Sequence, residues 1–325
     1  MIPSAREIQE KNWEGSIPVI ISLAESSLSA ATMPLPLYKM VPRQSYLHIS
    51  LENEIRRLFQ YAPMVGFHSV VQDDQEEQCN DSKEANNNLI QTREKEESSK
   101  EEESMYPICW FEDVASGIPL RWHLFAGVLF DIVVQSSTHR NKLPWRVRVH
   151  FTSYPSSILP LTNISTTTNT KEDGVKYILF RNYLNSLKQA LHIQHATNKV
   201  SHNMSKHSHL QLWDGIVRNQ YDIYRLVDEV SDMTSETKLL TLDQIPIRLM
   251  LDARPAISRP CKVSDVKLTL RCVLQEWAPS IFQDKKSVRC MIQGIEPCLD
   301  VSIVDLWKTL CHPDKFLYVI VKTTD

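Results

Sequence analysis

Hydrophobic positions in the first 155 residues fall mostly in short alternating runs, the period of strands with one face buried. Ile17 to Leu23 is one such run and Tyr46 to Leu51 a second, while Glu52 to Tyr61 changes to helical spacing. Cys109 to Asp113 and Ile118 to Trp122 flank Ser116-Gly117, which signals a hairpin. His123 to Val134 is apolar enough for a buried helix. Beyond Pro144, alternation puts Trp145, Val147, Val149 and Phe151 on one face and basic residues on the other.

The C-terminal residues repeat this plan. Ile245 to Leu251 alternates, an extended stretch runs to Val263, and Leu268 to Trp277 has helical spacing. Val288 to Ile292 is a strand, Ser302 to Cys311 a short helix and Phe316 to Val321 a continuous apolar strand. Strands, helix, strands and a short helix before a central strand fit a ubiquitin-like β-grasp unit. Between the two units, Phe180, Tyr183, Leu184, Leu187 and Leu191 form one helical stripe. Trp213, Ile216, Val217, Tyr221, Tyr224 and Val227 form another, with His192 to His209 read as an irregular polar loop between them. Ser4-Ala5-Arg6-Glu7 is a capping box opening an N-terminal helix. The expected class is α+β. Its parts are an N-terminal helix over 1–13, a first ubiquitin-like domain over 14–155, a helix-rich region over 171–240 and a second ubiquitin-like domain over 241–325.

Composition changes this picture at one place. Residues 72–104 carry 12 acidic and 4 basic side chains with almost nothing apolar, which predicts a disordered acidic insertion in the first domain. Its net charge is −8 against −3 for the chain, so the remainder is +5. That mild excess favours an anionic membrane surface or an acidic partner and argues against nucleic acid, which calls for a clustered basic face. The Ser/Thr-rich stretch Leu159 to Thr170 reads as a second, shorter loop.

Several activities lose ground. Seven glycines with no G-x-G or P-loop arrangement leave no phosphate cradle. Seven cysteines, an odd number with no C-x-x-C pair and no secretory signal, predict reduced, mostly buried thiols and a cytosolic address. Ile17 to Ala24 is much shorter than the roughly 18 apolar residues a membrane span needs. Cys311-His312 is adjacent in sequence, but neighbours at a helix end point apart, so a thiol isopeptidase is a poor second reading. Histidines 192, 195, 202, 207 and 209 lack the cysteines or carboxylates that would complete a metal set, so no metal or other cofactor is expected.

Five segments, in order along the whole chain, carry a resemblance. They are Pro42-Arg43-Gln44-Ser45-Tyr46-Leu47, Pro119-Leu120-Arg121-Trp122-His123, Pro144 to Phe151, Gln211-Leu212-Trp213, and Ile292-Gln293-Gly294-Ile295-Glu296-Pro297. On these the chain resembles the autophagy-related protein 5 family, whose members comprise a ubiquitin-like domain, a helix-rich region and a second ubiquitin-like domain. The resemblance implies a non-catalytic scaffold modified covalently on one lysine by the ubiquitin-like autophagy protein 12. The conjugate would bind the coiled-coil autophagy protein 16 and act ligase-like with the conjugating enzymes of the pathway. Its effect would be to promote transfer of the ubiquitin-like autophagy protein 8 onto phosphatidylethanolamine. The implied location is cytoplasmic, peripheral on the pre-autophagosomal membrane.

The family's acceptor context, aromatic-x-x-x-Leu/Met-Lys-x-Ala, falls on Tyr183 to Ala190 and makes Lys188 the implied isopeptide acceptor. Attack on a thioester needs a neutral amine, whereas lysine is ordinarily protonated near pH 7. Leu184 and Leu191, a turn to either side, are expected to strip water from it. Arg43 matches a position implied in the coiled-coil partner's interface, where a guanidinium would meet acidic residues. The chain finishes Lys322-Thr323-Thr324-Asp325 without a terminal glycine, which sets the expectation that it receives a modifier and is not itself donated. A β-grasp adaptor that binds a helical partner and is never conjugated fits the same residues.

Overall fold

The computed structural model describes residues 3–62, 108–136, 143–159, 161, 174–230, 244–251, 256–263, 268–282 and 287–324. The acidic insertion 72–104 and most of the Ser/Thr-rich stretch lie outside them.

The first unit is a five-stranded sheet in the order β2-β1-β5-β3-β4. It is built from β1 (Ser16–Leu23), β2 (Leu37–Pro42), β3 (Trp110–Asp113), β4 (Pro119–Leu120) and β5 (Trp145–His150). β1 and β5 are parallel, with Val19 opposite Trp145 and Leu23 opposite Val149; the other pairs are antiparallel. The alternation read from the sequence holds, because Ile17, Val19, Ile21 and Leu23 face inward with Trp145, Val147 and Val149. Helix α4 (Ala126–Ser136) crosses beside this sheet. Strand β2 was not legible in advance. It is an edge strand bordered by Pro34, Pro36 and Pro42, residues that strands tolerate mainly at edges.

Tyr46 to Leu51 is not a strand. It forms α2 (Leu47–Ser50), followed directly by α3 (Glu52–Phe59). The governing period is Leu47, Leu51, Ile55 and Leu58, which recur at helical spacing and are all buried.

The second unit is a four-stranded sheet in the order β7-β6-β9-β8, from β6 (Gln244–Leu251), β7 (Ile257–Lys262), β8 (Ser287–Met291) and β9 (Leu317–Thr324). β6 and β9 are parallel. Helices α9 (Leu270–Trp277) and α10 (Ile303–Leu310) cover its inner face with Leu270, Val273, Ile303 and Trp307. From Leu317 to Val321, β9 has no solvent face. Leu317, Val319 and Val321 enter this core, while Tyr318 and Ile320, with Phe316 just ahead of them, enter the core of the first unit. That explains its uninterrupted apolar sequence.

Between the units lie α5 (Val175–His195), α6 (Lys199–Asn203), α7 (Lys206–Arg218) and α8 (Tyr221–Val230). Residues 192–209 are therefore mostly helical and not an irregular loop. Polar side chains hid the period, but Ser205 caps α7 by accepting from the Ser208 amide at 3.0 Å. Helix α1 (Ala5–Glu14) opens with the expected capping box: the Ser4 amide donates to Glu7 Oε2 at 2.7 Å and Ser4 Oγ accepts from the Glu7 amide at 3.3 Å. It docks on the second unit, where Gln9 and Asn12 side chains donate to the Lys308 and Thr309 carbonyls at 2.7 and 2.9 Å.

Three histidines lie inside this assembly. Burial lowers His48 and His123 from the usual 6.5 to about 4 and His312 to about 3, with nearby arginine charges adding to the effect on the last two. Unfolded, each binds a proton near pH 6.5; folded, each stays neutral until far more acidic conditions. Stability is therefore full above 6.5 and falls as pH drops towards 4, by about 2 kcal/mol per histidine at pH 5. Urea unfolding at pH 7.5 and 5 should show this loss, and His312→Phe should remove about a third of it.

Candidate functional site

Lys188 sits on the exposed face of α5, flanked by exposed Asn185 and Gln189. The opposite face of the same helix carries Leu179, Tyr183, Leu187 and Ala190 into the core. The apolar sheath expected from Leu184 and Leu191 does not form around the amine: Leu191 is buried in the first core, and Leu184 is half-buried against it. The surroundings of Lys188 thus give it access and not dryness. Nearby His209 on α7 is lowered by burial first and by the positive charge of Lys188 second.

The helix under Lys188 is fastened to the second unit through residues that sequence reasoning missed. Gln189 Oε1 accepts from Arg248 Nη2 at 3.0 Å. Arg248 Nη1 donates to the Tyr318 hydroxyl at 2.6 Å and to Asp314 Oδ2 at 3.4 Å, and its guanidinium carbon lies 3.8 Å over the Phe316 ring. Tyr318 donates to the same carboxylate oxygen at 2.8 Å, and the Ser186 hydroxyl reaches Asp314 as well. Burial pushes the Asp314 carboxyl up, opposed by the Arg248 charge. Tyr183 and Tyr224 hydroxyls both donate to the Pro313 carbonyl, at 3.4 and 2.8 Å. The octapeptide around Lys188 thus has Tyr183 and Ser186 tied to loop 313–318 and Gln189 to Arg248, while Lys188 itself is exposed. Polar Ser186 and Gln189 in that octapeptide were the available signal; nothing in the sequence linked them to Arg248 or Asp314.

Arg43, implied by the resemblance to meet acidic residues of a partner, is already paired within the chain. Its side chain is 13% exposed, and Nη2 lies 2.6 Å from both carboxylate oxygens of Asp131, itself 2% exposed. Asp131 Oδ2 also accepts from the Gly294 amide at 2.8 Å, so one carboxylate joins α4 of the first unit to the turn after β8 in the second. Two glycines make room for this: a Cβ on Gly127 would lie 2.9 Å from the Arg43 carbonyl oxygen. On Gly294, whose φ of +77° already favours glycine, a Cβ would lie 3.1 Å from the guanidinium. An acidic residue of any partner would have to compete with Asp131 for Arg43.

Cys311 and His312 make no catalytic pair. The His312 ring is buried between Phe125 and Tyr318, at centroid distances of 5.4 and 4.8 Å, while Cys311 packs on the other core. The thiols are less buried than expected. Cys109, Cys261 and Cys290 are buried, Cys311 is intermediate, and Cys272 and Cys298 are exposed. Among the described residues, no three His, Cys, Asp or Glu side chains gather to hold a metal, and no helix is long and apolar enough to cross a membrane.

Two β-grasp units that share one β-strand's two faces and clasp a four-helix connector define a protein of paired ubiquitin-like domains. Family models match most of it: "Autophagy protein ATG5, UblA domain" over 12–79 and 84–151, the "alpha-helical bundle region" over 179–229 and the "UblB domain" over 244–321. The chain belongs to the autophagy protein 5 family. It is 24% identical to autophagy protein 5 of Drosophila melanogaster, covering 98% of each chain. It is 26% identical to that of Kluyveromyces lactis, over 97% of this chain and 99% of the relative. With the Arabidopsis thaliana protein it shares 27%, over 96% and 73%. The crystal structure of Kluyveromyces marxianus Atg5 has the same fold, with a TM-score of 0.69 at 19% identity, covering 98% of this chain and all of that one.

Proposed function

We propose that this autophagy protein accepts the ubiquitin-like autophagy protein 12 on Lys188 and has no catalytic centre of its own. In this reading the neutral Nζ attacks the thioester carbonyl of the charged conjugating enzyme. The C–N bond forms, the C–S bond breaks, and the thiolate leaves with the amine's proton. The observation that carries the reading is an exposed lysine on a helix held to the second unit through Tyr183, Ser186 and Gln189. Such an acceptor loses little freedom when a donor arrives, which favours reaction.

The conjugate would then bind the coiled-coil autophagy protein 16 and act ligase-like in lipidation of autophagy protein 8, as a cytoplasmic scaffold peripheral to the pre-autophagosomal membrane. Exposed Leu35, Tyr38 and Met40, along and just ahead of edge strand β2, supply an apolar surface for a partner helix close to Arg43.

The test is reconstitution of the full chain with protein 12 and its activating and conjugating enzymes. An adduct that survives a reducing, denaturing gel and yields a branched peptide at Lys188 is the expected result. Retained binding of the coiled-coil partner without any adduct would leave the unconjugated adaptor as the correct description.

A further inference from the structure

The charge around Lys188 is unlike that of the units flanking it. From Gly174 to Trp213, forty residues, there is no aspartate or glutamate, while five lysines or arginines and five histidines occur. In the second unit Arg248, Arg271 and Arg289 each hold a carboxylate within the chain, while Arg259, Lys262 and Lys308 hold none among the described residues. Of the five cations between Gly174 and Trp213, Lys176 pairs with Glu52 at 2.7 Å; Arg181, Lys188, Lys199 and Lys206 have no carboxylate partner among the described residues.

They share a face. Arg181, Lys188 and His192 lie at helical spacing along α5, all exposed and opposite the buried stripe of Leu179, Tyr183 and Leu187. Helix α7 packs on α5, with the Trp213 ring 5.6 and 5.8 Å from those of Phe180 and Tyr183, and its first turn carries exposed Lys206. Lys199 opens the short helix between them.

We propose that this acid-free face docks an acidic protein surface on the enzyme that delivers the modifier, so that association is steered onto the acceptor. The inference rests on the reading of Lys188 as acceptor. A bilayer fits less well. Leu210 is the one exposed large hydrophobic among the described residues of α5, α6 and α7, too little to enter acyl chains, and a membrane lying flat on this face would cover the amine that must be reached. Exposed charges spaced over such a surface act mainly on encounter rate, and salt screens them.

The test compares wild type with the Lys199→Glu/Lys206→Glu double variant of the full chain, reacting with enzyme already charged with modifier. The second-order rate of adduct formation should fall by roughly tenfold or more at low ionic strength, with a smaller difference at high salt. The rate at saturating donor should hold, and Lys199→Arg/Lys206→Arg should react as wild type does. A double variant that reacts at the wild-type rate at low salt overturns the inference. So does one whose only defect is lost flotation with phosphatidylserine-containing vesicles, which would make the face a membrane contact. Absence of an adduct in wild type would instead sink the acceptor reading beneath it.

Discussion

Lys188→Arg should abolish the covalent adduct while leaving the fold unchanged. Arginine keeps the positive charge and has nearly the same helix propensity, and position 188 is exposed, so a stability change within about 0.5 kcal/mol is expected. What it removes is the chemistry: a guanidinium stays protonated at any pH a protein survives and offers no neutral nitrogen to a thioester. Because the variant also keeps the charge of the face around it, a lost adduct cannot be ascribed to weaker docking. The measurement is a denaturing gel of the reconstituted reaction beside a thermal unfolding curve. An adduct at normal yield would move the acceptor elsewhere, and exposed Lys199 and Lys206 would be the next positions to replace.

Much of the fold could be read from periodicity where one period dominates. β5 alternates cleanly because one face is buried and the other carries Arg146 and Arg148. β9 reads as a continuous run because both its faces are buried. Reading failed where period and chemistry diverged. Tyr46 to Leu51 has strand-like residue types, yet its buried positions continue the stripe of α3. Residues 192–209 are too polar to show a helical stripe, and proline disguised β2. The site divided similarly. Lys188 is implied by the resemblance, whose acceptor context falls on Tyr183 to Ala190, and the structure places it on an exposed helix face. The ties of Ser186 and Gln189 to Asp314 and Arg248 cross about 60 to 130 residues of chain, and no local pattern encodes them. The reasoning about Lys188's neighbours went wrong because a leucine three or four residues away shares a lysine's side of the helix only in part; here Leu191 turns inward.

Asp131→Ala should be among the most damaging substitutions outside the apolar cores in the described part of the chain, costing about 3–5 kcal/mol in denaturant unfolding. Its carboxylate is almost fully buried and answers two donors, Arg43 and the Gly294 amide, that belong to different units. Truncation leaves the Arg43 guanidinium, 13% exposed, without a counter-charge and the Gly294 amide without an acceptor, and a buried orphan is penalised more heavily than a bond is rewarded. The wild-type pair itself contributes far less, because burial opposes both ions and pushes the Asp131 carboxyl up even with Arg43 beside it. The two statements can be separated by a double variant. Arg43→Met with Asp131→Leu removes both charges together and should recover most of the stability lost in Asp131→Ala. If the double variant were as unstable as the single one, the damage would come from lost packing at the junction of the two ubiquitin-like units and not from an unpaired charge.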